Sequence, residues 1–381
     1  MKILHCCLSC FYVDKFMYQE NLLPEINKND GHEVKIIAST EVFLNGKLDY
    51  INPCHYFTES NIEVIRVPYL KLFSRFVMKK IRVYKNVLNE IKKFKPDVIL
   101  FHGTCSYELL TVAKYKESNP NVKLYVDSHE DFNNSARTFL SKNILHRLFY
   151  KKIIDKCIKN IDKIFYISEE TKYFLENFYK LESKKLEFYP LGGFIREGKE
   201  KLNVRKKLRE SLKISEEDII LIHSGKLDRL KRTREILEAF ISIKNEKLHL
   251  LIIGSIPTEE KNDLERLINF DKRIKFLGWK SGEELLNYIC ASDVYVQPGS
   301  QSATSQNAVC CGLPIILYPY ISYKKIYSEK NIFWVETKDE IEKSIKKIAD
   351  NPNILKDMSK ESYKIAKELL DYKKLARRLY R

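Results

Sequence analysis

Residues Arg273–Tyr318 read RIKFLGWKSGEELLNYICASDVYVQPGSQSATSQNAVCCGLPIILY, and this stretch decides the fold. Short apolar runs at Ile274–Leu277, Val294–Val296 and Ile315–Leu317 have the length and composition of buried strands. Between them the pattern predicts helices at Glu283–Cys290 and about Ala303–Cys311. Each helix follows a polar or glycine-containing turn. In a parallel α/β sheet, ligands bind beyond the carboxyl ends of the strands. Those ends carry Gly278, Trp279 and Lys280, and then Pro298–Thr304, so a ligand is expected there.

The same alternation runs outward in both directions. Strands are predicted at Lys2–Cys6, Glu33–Ala38, Glu63–Pro68, Asp97–Phe101, Val122–Val126, Lys163–Ile167 and Leu186–Leu191. A helix over Phe16–Asn29 ends at Asp30-Gly31. A long helix is expected over Leu70–Phe94, where Leu70, Phe73, Val77, Ile81, Tyr84, Leu88 and Ile91 step by three or four before Pro96. The pattern restarts with strands at Asp218–His223 and Leu248–Ile253, and helices at Arg232–Ile243 and Glu259–Ile268. The fold class is therefore α/β: two tandem Rossmann-like, doubly wound domains facing a cleft. They span residues 1–191 and 202–355, with a hinge near Gly192–Lys201. The last helical stretch, 356–381, is expected to pack back on the first domain.

Composition narrows the function classes. The 381 residues are 44% hydrophobic and 31% charged, which suits a folded chain with a substantial core. No run of about 18 apolar residues offers a membrane span. The start MKILHCC enters a strand directly and lacks the apolar region and cleavage site of a secretory leader. Nine cysteines, two pairs of them adjacent in sequence, read as reduced thiols in a cytoplasmic protein. No His or second Cys pair completes a zinc set around Cys7 and Cys10, so no metal is expected. From Arg66 to Lys95 there are ten Lys or Arg against one acid, Glu90, which is more than half of the formal excess of +16. That concentration suggests an anionic membrane surface met through residues 70–94. No nucleic-acid recognition motif accompanies it, so no nucleic-acid partner is expected. The dinucleotide fingerprint GxGxxG and the phosphate loop GxxxxGK[ST] are both absent, which disfavours dehydrogenases and P-loop hydrolases.

Four places can carry chemistry. Ser224-Gly225-Lys226 to Lys231-Arg232 lies between a strand end and a helix start. Lys226 and Lys231 would sit at the positive end of that helix, an arrangement suited to a diphosphate. A solvated basic turn is the competing reading. At Gly278-Trp279-Lys280 a glycine at a strand end allows close backbone approach, as for a base, or else Trp279 simply packs. Ser300, Ser302, Thr304 and Asn307 lead into the next helix, where they can meet sugar hydroxyls or cap it. Asp127-Ser128-His129-Glu130-Asp131 follows a strand of the first domain, with His129 the candidate catalytic group. His102 ends the neighbouring strand and, with Asp131, is assigned to the acceptor side. His5 lies inside the first strand and reads as a packed core residue. No Asp-x-Asp pair occurs, so leaving-group charge would fall to Lys226, Lys231 and helix amides.

These stretches resemble the family 4 retaining glycosyltransferases, the group 1 transferases, which have the GT-B fold. HSGKLDRLKR is similar to that family's G-[RK]-L-x-x-x-K element, and IKFLGWKSGEELLNYICASDVYVQPG to its strand, glycine and helix passage. NAVCCGLPIIL and YPLGG resemble two further family passages. The resemblance implies that a nucleotide-sugar donor, a UDP- or GDP-sugar, is a substrate rather than a cofactor, and that no cofactor is needed. It implies that Lys226 and Lys231 grip the donor diphosphate, that Gly278–Lys280 hold the base, and that His129 lies near the transferred sugar. The acceptor would be a glycan or lipid-linked sugar, and transfer would proceed with retention, in bacterial-type surface polysaccharide synthesis. The chain departs from the pattern where Asn307 stands in place of the glutamate that usually holds the ribose. The family's E-x7-E pair is missing, the loop from Pro298 is shortened, and Leu8–Asp14 reads LSCFYVD where a glycine-rich loop is usual. A non-catalytic binding subunit that kept this fold, and a sugar-nucleotide epimerase sharing it, are the alternatives.

Overall fold

Lys2–Cys7 (β1) is the central strand of an eight-stranded sheet in the computed structural model, which describes residues 1–44 and 47–380. The other strands of this part are β2 (Glu33–Ser39), β3 (Glu41–Leu44), β4 (Lys47–Tyr50), β5 (Cys54–Phe57), β6 (Glu63–Val67), β7 (Val98–His102), β8 (Lys123–Ser128), β9 (Lys163–Tyr166) and β10 (Leu186–Phe188). The sheet order is β10-β9-β8-β7-β1-β2-β6-β5. All its pairs are parallel except β5 with β6. The strands β3 and β4 form a separate antiparallel pair. Every residue of β7 is buried, as expected of a parallel strand covered on both faces. The covering helices are α1 (Gln19–Asn29), α2 (Arg75–Ile81), α3 (Val87–Phe94), α4 (Glu108–Ser118), α5 (Lys151–Cys157) and α6 (Glu169–Asn177). A π-helical segment, Ser141–Tyr150, runs directly into α5.

The single helix expected over Leu70–Phe94 is two short ones. Arg82 and Asn86 take left-handed backbone conformations (φ 54° and 62°), which an α-helix cannot accommodate. Each costs about 1 kcal/mol in a residue with a Cβ. The break is held in place by other contacts. Tyr69 and Tyr84 form an isolated bridge with their rings stacked 4.7 Å apart. The Arg82 guanidinium donates to the Cys105 carbonyl and the Ser9 hydroxyl, both at 3.0 Å. Of the residues on the three-and-four stripe, Phe73 and Val77 are exposed, whereas Ile91 is buried.

The second part is a six-stranded, wholly parallel sheet with the order β13-β12-β11-β14-β15-β16. Its strands are β11 (Ile219–Lys226), β12 (Leu248–Ser255), β13 (Ile274–Phe276), β14 (Val294–Gln297), β15 (Ile315–Leu317) and β16 (Ile332–Trp334). Its helices are α7 (Gly198–Leu212), α8 (Thr233–Ser242), α9 (Lys261–Phe270), α10 (Gly282–Ala291), α11 (Thr304–Cys310), α12 (Ile321–Ile326), α13 (Lys338–Asp350) and α14 (Ile354–Ile365). Capping boxes start α10 at Ser281 and α13 at Thr337.

Contacts divide the chain into Met1–Pro190 with Tyr372–Arg381, and Leu191–Asp371. The expected hinge, Gly192–Lys201, overlaps α7 only at 198–201. Residues 356–371 belong to the second unit: Ser362 donates to the Leu313 carbonyl at 2.9 Å, and Tyr363 to that of Cys311 at 3.1 Å. Only Tyr372–Arg381, with α15 (Tyr372–Arg377), joins the first unit. There Arg377 makes a two-pronged pair with Asp30 at 2.9 and 3.1 Å, and Tyr380 donates to the same carboxylate at 2.6 Å. No helix among the described residues is long and apolar enough to cross a membrane.

Candidate active site

In the first unit the switch in sheet order falls between β1 and β7, and the chemistry gathers at the carboxyl ends of β1, β7 and β8. The parallel register sets His102 opposite Asp127. Both are buried, and His102 Nδ1 lies 2.6 Å from Asp127 Oδ2. His102 Nε2 is 3.1 Å from His5 Nδ1, and His5 Nε2 is 2.9 Å from Asn27 Oδ1.

One proton arrangement satisfies this chain. The amide oxygen of Asn27 only accepts, so His5 Nε2 donates to it. His5 Nδ1 then accepts from His102 Nε2–H, and His102 Nδ1–H donates to the Asp127 carboxylate. His102 is thus an imidazolium and His5 a neutral ring. Burial, with the charge on His102, pushes His5 down to about 3. Burial also disfavours charge on His102, but the Asp127 carboxylate outweighs it and raises His102 to about 9. Burial would lift the Asp127 carboxyl, yet the charge and hydrogen bond of His102 hold it well below the usual range.

Asp127 also receives the Gly103 amide at 2.7 Å and the Gln19 side chain at 3.2 Å. Its Oδ1 lies 3.7 Å from His129 Nε2. His129 is part-exposed, and burial alone would lower it, but Asp127 raises it above its ordinary value. One carboxylate therefore orients two histidines, the inner one buried and the outer one open. Glu130 ties the neighbouring loops together. It accepts from the Ser128 hydroxyl at 2.6 Å and the Thr104 amide at 3.2 Å.

The expected site residues of this unit separate accordingly. His129 faces a cavity of about 540 Å³ that Glu130, Arg82 and Ser9 also line. His102, expected on the acceptor side, is 2% exposed, with Asp127 and His5 at its two ring nitrogens. Asp131 turns away, because its carboxylate accepts the amides of Asn133 and Asn134 at 2.7 and 2.9 Å and closes the loop. His5, read as a packed core residue, is buried but engaged at both ring nitrogens. Asp127 stands in the quoted motif without a role assigned to it there; its role comes from the strand register that sets it opposite His102.

In the second unit the switch falls between β11 and β14. Gly225 (φ 138°) and Lys226 end β11, and Lys226 is exposed. A short 3-10 turn, Arg229–Lys231, precedes α8, with the Asp228 side chain accepting the Leu230 amide. The Lys231 ammonium bends back over Gly225, 3.9 Å from where a Cβ there would lie. It donates to the carbonyls of Ser300 and Gln301, both at 3.4 Å. Burial lowers its pKa, partly offset by Asp228. The loop after β14 is pressed onto this turn. The Ser300 amide donates to the Leu230 carbonyl at 2.7 Å, and a Cβ at Gly299 would sit 2.1 Å from that same oxygen. The first and third expected places are thus one cluster. Gln297, at the end of β14, is fully buried. Its amide nitrogen meets the Ser300 carbonyl, and its Oε1 has no partner among the described residues.

Ser302 is used locally: its hydroxyl accepts the Thr304 amide at 3.4 Å, and its own amide donates to Tyr323 at 2.7 Å. Asn307 lies against Gly193, with its Oδ1 2.7 Å from where a Cβ would be. Gly278 (φ 69°) bonds through its carbonyl to the Gly254 amide at 2.9 Å, next to β11. Trp279 is 73% exposed and does not pack as a core residue, and Lys280 is part-exposed. Among the described residues no group of three or more His, Cys, Asp or Glu is arranged to hold a metal ion.

Comparison with known proteins bears on the fold. Residues 204–365 match the family model described as Glycosyl transferases group 1. No curated protein matches the chain. Among solved structures, sucrose-phosphate synthase from Thermosynechococcus elongatus superposes with a TM-score of 0.68 at 16% identity, covering 99% of this chain and 96% of that one. Anabaena HepE in complex with UDP and glucose gives 0.66 at 13%, covering 99% and 98%. WaaG, a glycosyltransferase involved in lipopolysaccharide biosynthesis, gives 0.65 at 14%, covering 99% of each chain. The chain has the GT-B fold of two Rossmann-like units, and its second unit carries the match to the group 1 glycosyltransferases.

Proposed function

We propose that this protein transfers a hexosyl group from a nucleoside diphosphate sugar to a glycan or lipid-linked acceptor, with retention and without a bound metal ion. The observation that carries the reading is Lys231. Its part-buried ammonium stands at the β11–β14 switch point, and its hydrogen-bond partners are main-chain carbonyls rather than carboxylates. An ammonium so placed is available to an incoming diphosphate, with Lys226 beside it. The unpartnered Oε1 of buried Gln297 adds a polar contact at the same strand end. Gly278, Trp279 and Lys280 would take the base. Asn307 would take the ribose, and Ser300, Ser302 and Thr304 the sugar. A UDP-sugar is the first donor to test, since the HepE structure contains UDP.

In the reaction the bond from the anomeric carbon to the β-phosphate oxygen breaks, and the nucleoside diphosphate leaves with the electron pair. The acceptor hydroxyl bonds to the same face of that carbon and gives its proton to the departing phosphate. Lys226 and Lys231 stabilise the charge that develops. His129, set by Asp127, positions the sugar. Catalysis of this kind rests on placement and fixed charge rather than on a strong base. The site of action would be the cytoplasm, in the assembly of a surface polysaccharide.

A panel of UDP- and GDP-sugars, read by release of the nucleoside diphosphate, tests this. Release with at least one donor is expected. Asn307, in place of the usual glutamate, motivates a second reading as a binding subunit. Nucleotide binding without turnover across the whole panel would favour that reading. Conversion of the donor into an isomeric sugar nucleotide would favour an epimerase.

A further inference from the structure

Two stretches of the first unit carry apolar side chains that nothing covers. In 70–82, around α2, Leu72, Phe73 and Phe76 are 60–75% exposed and Val77 is also exposed. In 137–152, along the π-helical segment, Phe139, Leu140, Ile144 and Leu148 are exposed, Phe139 at 77%. Leu140, Ile144 and Leu148 recur every four residues and form one stripe. The core-facing side of the same helix is a different stripe, His146, Tyr150, Ile153 and Ile154, all buried. An ordinary surface helix has a single apolar face. This one has two, and α2 repeats the pattern with Met78 turned inward and Phe76 and Val77 outward, just after the exposed Phe73.

The two stretches lie side by side, since the Tyr150 hydroxyl donates to the Lys80 carbonyl. Together they contain ten Lys or Arg and no acid. Large apolar side chains interleaved with cations complement a bilayer with anionic headgroups. A protein partner would require an acidic, apolar face of matching shape.

Both stretches also line the cavity at His129, through Lys79, Lys80 and Arg82 on one side and Arg137, Leu145 and Tyr150 on the other. We propose that this face seats on an anionic phospholipid bilayer, and that the cavity receives the polar, phosphate-bearing head of a lipid-borne acceptor. The inference deepens the proposed function and, for the acceptor, rests on it. It also accounts for the exposure of Phe73 and Val77.

The test is flotation of the full chain with vesicles of phosphatidylcholine alone and with added phosphatidylglycerol, alongside donor hydrolysis without vesicles. The chain is expected to float only with phosphatidylglycerol. Phe76→Ser with Leu148→Ser, and separately Lys80→Glu with Arg137→Glu, are expected to weaken flotation at least tenfold with unchanged circular dichroism. Equal behaviour with both vesicle types, or full flotation of both double variants, would overturn the proposal. So would a stable dimer in vesicle-free solution that the same substitutions dissociate. Flotation without donor hydrolysis supports the surface and removes the enzymatic reading. Hydrolysis without flotation does the reverse.

Discussion

His102 Nδ1 lies 2.6 Å from Asp127 Oδ2, in a pocket that admits almost no solvent to either side chain. A carboxylate there is stable only because an imidazolium shares its burial. Removing one partner strands the other. Asp127→Asn is therefore expected to destabilise the protein by about 3–5 kcal/mol, the usual cost of breaking a buried pair. Urea unfolding measures it, and a loss below 1 kcal/mol would mean that the pair is not charged.

The same network sets a pH profile. His102 has a folded value of about 9 against an ordinary 6.5, so its contribution is complete below pH 6.5 and disappears as pH rises through 9. His5, at about 3, has the opposite sign: its contribution is complete above pH 6.5 and is lost as pH falls toward 3. Stability is expected to peak near pH 6.5, with limbs approaching about 1.4 kcal/mol per pH unit where one proton is exchanged. Melting temperatures from pH 5 to 9 give the profile. In His102→Gln the alkaline limb should shrink to what His129 contributes, and an undiminished limb would remove His102 as its source.

His129→Ala is expected to lower turnover at least tenfold while changing nucleotide affinity less than threefold, because His129 belongs to the first unit and the proposed nucleotide contacts to the second. Calorimetry and initial rates separate the two effects. Full activity would remove His129 from the site.

Lys231→Ala is expected to weaken UDP binding by about ten- to a hundredfold, in line with about 1.5–3 kcal/mol for a hydrogen bond to a charged group. The fold should be unaffected, since the hydrogen bonds of the Lys231 ammonium are two long ones, to carbonyls at 3.4 Å. Unchanged affinity would count against the diphosphate assignment.

Gly299→Ala tests the junction of the two loops. The new Cβ would stand 2.1 Å from the Leu230 carbonyl oxygen, so the turn carrying Lys231 must shift. A loss of about 1–3 kcal/mol in stability is expected, together with weaker UDP binding. Wild-type values for both would show that the loops are not packed as described.

Much of the fold was legible because parallel strands covered on both faces read as short apolar runs. Ile315–Leu317 and the helix at Gly282–Ala291 fall within a residue or so of expectation. The misread parts have identifiable causes. Across 70–94 the three-and-four spacing continues through a turn, and left-handed Arg82 and Asn86 leave no mark in the sequence. The charged stretch 198–212, where no helix was expected, is the helix α7, whose inward face is carried by arginines. Arg209 is buried, donating to Asp293 at 2.5 Å and to the Ala291 carbonyl at 3.0 Å. The edge strand β5 reads CHYF, with a mostly exposed surface and no apolar run. In the site, Lys231 stood out because a basic turn after a strand has a physical use. Asp127 did not, because its role depends on His102 opposite it, and strand register is invisible in a single sequence.

The most direct measurement is a crystal structure of the protein with bound UDP. The diphosphate is expected within hydrogen-bond distance of the Lys231 ammonium, beside Gly225 and the Gly299–Ser300 backbone. A diphosphate bound away from both Lys226 and Lys231 would contradict the reading.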